Sequence, residues 1–219
     1  MPSNYNTLLS SEKELSELFF DNLEHLLKMH KFLWTNILEK KNDKRVKDKI
    51  AFYTEESVKK NKDILDDCIW IISKDQPRAN HLRFIISMIH SVKDMEALSK
   101  YPNKILAIYS NEIKISKSLE KLVKNYLDIF QEVIKMLKQK QAEANHKKSL
   151  NLKDNFLKIY EDFLQKDLNV KSDKINNKNY LDMYKIVKSL DKTIDHLFNL
   201  FDNFKFIKSK PKKTIKINL

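Results

Sequence analysis

Three carboxylates and one amide recur at helical spacing near the end of this chain. They are Asp191, Asp195, Asn199 and Asp202, at spacings i, i+4, i+8 and i+11, which place all four on one side of a helix. Two carboxylates four residues apart repel each other by about 0.2–0.5 kcal/mol on an exposed helix. A hard or borderline cation accepts carboxylate oxygens and would convert this repulsion into chelation. The alternative is a solvated acidic edge, and the spacing leaves both interpretations open.

Other residue types give little indication of bond-making chemistry. The chain has 219 residues with one Cys and no Gly. Phosphate-cradling loops, dinucleotide fingerprints and nucleophile elbows all need Gly at particular backbone positions, so these sites are excluded. Cys68 lies within an apolar run and is interpreted as an inert packed thiol. We therefore predict that the protein is not an enzyme. A metal-dependent enzyme using Asp191 and Asp195 is the weaker alternative, because no general base accompanies them.

Helices must position these side chains, because apolar residues recur mostly at spacings of three and four along the chain. Ser11-x-x-Glu14 is a capping-box pattern that predicts the start of the first helix. Pro77 suits a helix start, and Pro102 is expected to disturb the third helix. The pattern predicts an all-α protein with six long antiparallel helices. The first is expected to end near residue 40, and the other five are expected at 44–74, 77–102, 103–142, 153–168 and 179–208.

The six predicted helices fall into two sets of three. A shift of 95 positions places residues 87–96 on 182–191, with Met88 on Met183, Val92 on Val187 and so on. Such self-similarity predicts a duplicated unit. We expect two tandem three-helix bundles, with the first repeat at 1–105, the second at 106–208 and a basic C-terminal tail at 209–219.

The net charge is strongly positive, with 42 Lys and Arg against 30 Asp and Glu, or +12. The lysines are interleaved with acidic residues, which is typical of solvated helix faces. The alternative function is a basic helical module that binds nucleic acid or an anionic membrane surface. The longest apolar run has five residues, Cys68 to Ile72, so no membrane-spanning helix is expected. The start of the chain has no signal-peptide pattern, and we expect a cytoplasmic protein.

Two segments carry a family resemblance, one in each predicted repeat. The first follows a Gln-Pro-x-Ala-x-x-Leu-Arg pattern and a later Asp-x-Glu, formed by Gln76, Pro77, Ala79, Leu82, Arg83, Asp94 and Glu96. The second is the run Leu190, Asp191, Ile194, Asp195, His196, Asn199, Leu200 and Asp202. Both segments resemble the signatures of the PhoU family of phosphate-transport regulators, although Asp191 and Asp202 stand where glutamates are usual.

The resemblance implies a function in phosphate homeostasis through contacts with other proteins. A PhoU-like protein is expected to be a cytoplasmic homodimer of two tandem three-helix bundles. It would act as a negative regulator of phosphate transport by docking against the ATPase subunit of a phosphate ABC transporter and damping uptake. In many relatives the output also runs through a phosphate-sensing histidine kinase. No specific nucleic-acid partner is implied.

The resemblance also implies a metal site, and only in the second repeat. PhoU-like proteins are known for multinuclear metal clusters, often of iron or zinc, on such motifs. The corresponding residues here are Asp191, Asp195 and Asp202, which would hold Fe or Zn, or Mg. In the first repeat Lys100 stands where the family has a second carboxylate, and a protonated lysine cannot ligate a metal. We predict that the first repeat is metal-free and that Lys100 pairs with Glu96.

Overall fold

The computed structural model of this protein describes residues 5–139, 142–168 and 178–208. Those residues form six α-helices and contain no β-strand: α1 Tyr5–Leu38, α2 Lys44–Asp75, α3 Asn80–Ile108, α4 Lys117–Gln139, α5 Ala142–Lys166 and α6 Lys178–Lys208. The all-α class with six long helices is therefore confirmed. The predicted basic tail at 209–219 lies outside the described residues.

The helices pack as two sets of three that share one core. Helices α1, α2 and α3 contact one another, as do α4, α5 and α6, and the two sets meet where α1 packs on α4 and α3 packs on α6. Large apolar side chains from both sets are fully buried, among them Phe19, Trp34, Phe130 and Phe156. The architecture agrees with two three-helix bundles, and the exact repeat boundary at 105/106 stays a prediction.

Four helix ends differ from those expected from the sequence. Helix α1 begins at Tyr5, so Ser11 is not its N-cap, and the Ser11 hydroxyl instead donates to the Thr7 carbonyl at 3.1 Å. Helix α3 continues through Pro102 to Ile108, and α4 begins only at Lys117. Helix α5 begins at Ala142, before the expected residue 153. The start of α4 follows a local cap, because the Ser116 hydroxyl oxygen accepts from the Leu119 backbone N–H at 3.1 Å.

Pro102 is tolerated inside α3 because other helices supply the missing donors. A proline within a helix cannot bond the carbonyl four residues earlier, which here belongs to Leu98. His30 of α1 donates its Nε2 proton to the Leu98 oxygen at 2.9 Å. The Thr54 hydroxyl of α2 shares its proton between the Ile50 oxygen at 2.9 Å and the Ser99 oxygen of α3 at 3.2 Å. The carbonyls next to the proline are thus satisfied, and the helix continues.

Within the described residues, no helix is both long enough and apolar enough to cross a membrane.

Candidate functional site

Helix α6 carries the predicted acidic residues and lies antiparallel to α3. Contacts along the two helices run in opposite directions. Near the start of α3, Ser87 donates to the Asn203 carbonyl, and further along α3 the Tyr101 ring lies 5.9 Å from the His196 ring. This α3–α6 contact is the most extensive between any two helices. It joins the two halves of the molecule and brings Asp94 of the first family segment against the second segment on α6.

Asp94 is the centre of a polar cluster at this interface. Its side chain is nearly buried, and its Oδ1 accepts from His196 Nδ1 at 2.8 Å and from Asn199 Nδ2 at 3.2 Å. Its Oδ2 accepts from Asn203 Nδ2 at 3.4 Å. Because one carboxylate holds three donors from the facing helix, it defines the register of α3 on α6. The sequence identified Asp94, His196 and Asn199 within motifs but did not indicate that they bond to one another, and it missed Asn203.

Asp195 is neutralised by two lysines. Lys153 of α5 and Lys192 of α6 each place an ammonium nitrogen 3.2 Å from one of its carboxylate oxygens. Burial raises the pKa of Asp195, but the hydrogen bonds from these lysines outweigh that effect and hold the pKa below its usual value. One turn earlier, partial burial and the charge of Asp195 raise the pKa of Asp191. The carboxylate pair therefore does repel, and Lys153 and Lys192 compensate part of its charge.

The three predicted metal ligands do not converge on one ion. Asp202 lies seven residues beyond Asp195, about 10 Å along the helix axis. Among the residues that the structure describes, no three His, Cys, Asp or Glu side chains form a group that could hold a metal ion. A cation at Asp191 and Asp195 would also have to displace Lys153 and Lys192. As placed, these side chains do not fit a metal cluster, and metal at Asp191, Asp195 and Asp202 stays a prediction.

The equivalent region of the first repeat contains the expected ion pair. Lys100 Nζ lies 3.5 Å from Glu96 Oε2, which confirms the predicted pairing. The ammonium group of Lys104 lies 5.0 Å from the centre of the Tyr101 ring, in cation–π geometry.

The first family motif forms the turn between α2 and α3. Gln76 caps α2 in the left-handed conformation at φ 46°, and Ala79 precedes α3 at φ 51°. Positive φ is unusual outside glycine, and this chain has no glycine to relieve it. Pro77 lies buried between these two residues. The motif's role in this chain is therefore to hold a tight interhelical turn.

Two further groups with reactive chemistry are held in inert forms. Burial, assisted by the charge of Asp67, raises the pKa of the Cys68 thiol to about 12, so the thiolate is absent at neutral pH. Burial lowers the pKa of His30 to about 4 and keeps its imidazole neutral. His30 also accepts a hydrogen bond from the Tyr126 hydroxyl at 2.8 Å. These groups therefore stabilise the core rather than serving as a nucleophile or base.

Comparison with known proteins adds family evidence to this geometry. The PhoU domain model matches residues 23–108. An uncharacterized protein of Mycoplasma pneumoniae, the homologue of MG409, is 32% identical over 220 aligned residues that cover 94% of this chain and 96% of the relative. The uncharacterized protein MG409 of Mycoplasma genitalium is 26% identical over the same shares.

Two solved structures share the fold over nearly their whole length. The phosphate transport system regulatory protein PhoU from Streptococcus pneumoniae superposes with a TM-score of 0.78 at 16% identity, covering 92% of this chain and 97% of that one. PhoU from Pseudomonas aeruginosa gives a TM-score of 0.68, also at 16% identity, covering 93% and 98%. At such identity the likeness establishes the six-helix fold.

Proposed function

The chain belongs to the PhoU family, and from that premise we propose that it regulates phosphate uptake by contact with a transporter. It would bind the ATPase subunit of an ABC phosphate transporter and damp transport. The observation that carries this proposal is the PhoU domain match at residues 23–108 within a chain that has the full six-helix fold. The contacts of Asp94 with His196 and Asn199 are consistent with it, because they join the two family segments across the α3–α6 interface.

The chemistry of the described core supports an action by binding rather than by catalysis. The Cys68 thiol and the His30 imidazole are both held in their neutral forms, as described above. A regulator of this kind shifts the population of its partner's conformations through its differential affinity for them. No bond chemistry is needed for that effect.

The outward side of α2 is the surface that we propose for docking to the ATPase subunit. Trp70 and Ile69 are each 59% exposed, although large apolar side chains are usually buried. Asp63, Asp66 and Asp67 lie on the same stripe as Trp70, at seven, four and three residues before it. We call this set the α2 docking face.

Charge on the α2 docking face indicates the kind of surface that it would contact. Partial burial and the nearby charges of Asp63, Glu14 and Asp66 raise the pKa of Asp67. The carboxylates therefore repel one another although the whole chain is basic. A partner surface that combines an apolar pocket for Trp70 with basic residues would relieve this repulsion. We assign that description to the ATPase subunit.

Affinity capture from native cells tests the proposed function. We expect recovery of the phosphate-transporter ATPase with the tagged protein. Trp70→Ala combined with Ile69→Ser should reduce that recovery by about tenfold, because exposed aromatic anchors dominate protein interfaces. Leu150→Ser is the matched control, since Leu150 is 51% exposed on α5, and its recovery should equal that of the wild type. Capture of ribosomal or nucleoid proteins alone would contradict the proposal.

From the family resemblance we also propose that the protein is a homodimer and acts in the cytoplasm. A phosphate-sensing histidine kinase is proposed as a further partner. Light scattering on the purified protein should give twice the mass of the 26.2 kDa chain. A monomeric mass at micromolar concentration would remove the dimer from the proposal. The kinase would be identified by the same capture experiment.

A further inference from the structure

A groove lies between the end of α3 and the first half of α6, and the proposed docking of α2 does not use it. Its cavity volume is about 490 Å³, within the range usual for sites that bind small molecules. One wall is formed by α3 with Tyr101, Ala107 and Ile108, and the other by α6. Four lysines line the groove: Lys104, Lys185, Lys188 and Lys192.

Three of the lysines form a line on α6, and the fourth faces them from α3. Lys185, Lys188 and Lys192 have spacings i, i+3 and i+7 on α6, so they follow one side of that helix over about 10 Å. Lys104 comes from α3 on the other wall. A single phosphate ion is too short to reach along this line. A chain of linked phosphates has the length and the charge spacing to contact several of these ammonium groups together.

The four ammonium groups are held in place by different neighbours. Lys185 and Lys192 pair with carboxylates of α6, Asp182 at 3.4 Å and Asp195 at 3.2 Å. Lys104 and Lys188 instead lie over tyrosine rings, 5.0 Å from the centre of Tyr101 and 5.9 Å from that of Tyr184. The ring contacts orient the two groups but leave their full positive charge available to an anion.

Acidic groups beside the groove limit its charge but do not cancel it. Asp182 and Asp195 each pair with one groove lysine, and Asp195 is shared with Lys153. Asp191 also interacts electrostatically with Lys188 and Lys192, although burial raises its pKa. Lys104 is on the opposite wall from all three carboxylates. The groove is therefore bordered by four lysines and three carboxylates, an excess of one positive charge.

We propose that this groove binds an oligophosphate anion, meaning two or more linked phosphates, free or as the tail of a nucleoside triphosphate. Lysine acts toward phosphate as a compact point charge and needs no bidentate geometry, which suits a flexible phosphate chain. Tyr101 also lines the groove, and its hydroxyl is a hydrogen-bond donor.

Isothermal titration of the full chain measures this binding directly. At an ionic strength of about 0.15 M and without divalent cations, we expect tripolyphosphate to bind about tenfold more tightly than inorganic phosphate. A parallel titration with ATP distinguishes a free phosphate chain from a nucleotide as the ligand. If ATP binds as tightly as tripolyphosphate, the groove recognises the phosphate chain alone. If ATP binds more tightly, the groove also recognises the nucleoside. Equal affinity for phosphate and tripolyphosphate, or no binding of either tripolyphosphate or ATP, would overturn the proposal.

A charge-matched pair of variants separates this site from general attraction to a basic protein. Lys104→Met with Lys188→Met should weaken tripolyphosphate binding by about tenfold. Lys59→Met with Lys62→Met removes two exposed lysines from α2 and should change the affinity by less than about twofold. Equal losses in the two variants would refute the assignment, and circular dichroism verifies that both fold. The titration uses the isolated chain, so its failure would leave the transporter proposal untouched.

Discussion

At the scale of single residues, His30 shows how a titratable group can serve the fold instead of chemistry. It donates to the carbonyl that Pro102 leaves without its usual partner, and it accepts from Tyr126. The Leu98 carbonyl can only accept, so Nε2 carries the proton and Nδ1 is the acceptor. Protonation of Nδ1 would force the Tyr126 hydroxyl to change from donor to acceptor and would place a charge in the core. The fold therefore stabilises the neutral imidazole.

The depressed pKa of His30 predicts a loss of stability in mild acid. The unfolded chain takes up this proton near pH 6.5, whereas the folded chain takes it up only near pH 4. Stability is thus intact above pH 6.5 and declines as the pH falls toward 4, by about 3 kcal/mol in total. Urea unfolding at several pH values should show this decline, and His30→Gln should remove most of it.

His90 provides the control for this measurement, because it is exposed on α3. His90→Gln should retain the pH dependence of the wild type. If His30→Gln and the wild type lost stability equally between pH 6.5 and 4, another group would have to account for the acid sensitivity.

Lys153 and Lys192 would compete with any cation for the carboxylate of Asp195. If the predicted site exists, Lys153→Met with Lys192→Met should retain about tenfold more zinc than the wild type, since the competing ammonium groups are gone. Asp191→Asn with Asp195→Asn should retain none at this site. Elemental analysis of the three proteins after dialysis is the measurement. Equal metal content in all three would place any metal elsewhere.

At the scale of helices, the α3–α6 pair depends on one carboxylate. Asp94→Ala would leave His196, Asn199 and Asn203 without their acceptor in a nearly buried cluster. Loss of bonds to a charged, buried acceptor should destabilise the protein by about 2–3 kcal/mol. Denaturant unfolding measures this effect as a lower midpoint with an unchanged slope.

A neighbouring acidic residue on α3 is the comparison for Asp94. Glu96 makes an exposed ion pair with Lys100, so Glu96→Ala should cost less than about 1 kcal/mol. Similar costs for the two variants would mean that the Asp94 cluster does not hold α3 against α6.

At the scale of the whole molecule, the excess positive charge is distributed and partly paired between helices. Lys60 pairs with Asp21, Lys138 with Glu24 and Lys148 with Glu132, each pair joining two different helices. Such pairs contribute little stability individually. They do show that many lysines face acidic side chains, as expected for solvated helix faces.

This distribution predicts weak binding to duplex DNA and to anionic vesicles. We expect negligible binding of either at an ionic strength of about 0.15 M. A nucleic-acid protein would instead bind there, and its log affinity would fall against log salt with a slope of about −0.9 for each phosphate neutralised. Titrations at two salt concentrations distinguish the two outcomes. Tight, strongly salt-dependent binding would favour the alternative function.

Sequence patterning alone determined the all-α class, the six helices and the two family segments, because helical spacing and motif spacing are local properties of the chain. It also indicated the Glu96–Lys100 pair, which lies within one helix. It misjudged the end of α3, because the donors that satisfy the carbonyls near Pro102 come from α1 and α2.

Only the tertiary structure decided what surrounds each polar side chain. Asp195 receives Lys153 from a different helix, and Asp94 receives donors about a hundred residues away in sequence. The same packing forms the lysine groove from two helices of different repeats. Contacts between helices depend on where the helices cross and on their register, and the periodicity of a sequence encodes neither. For that reason the sequence located the acidic line of α6 but did not reveal that Lys153 pairs with it.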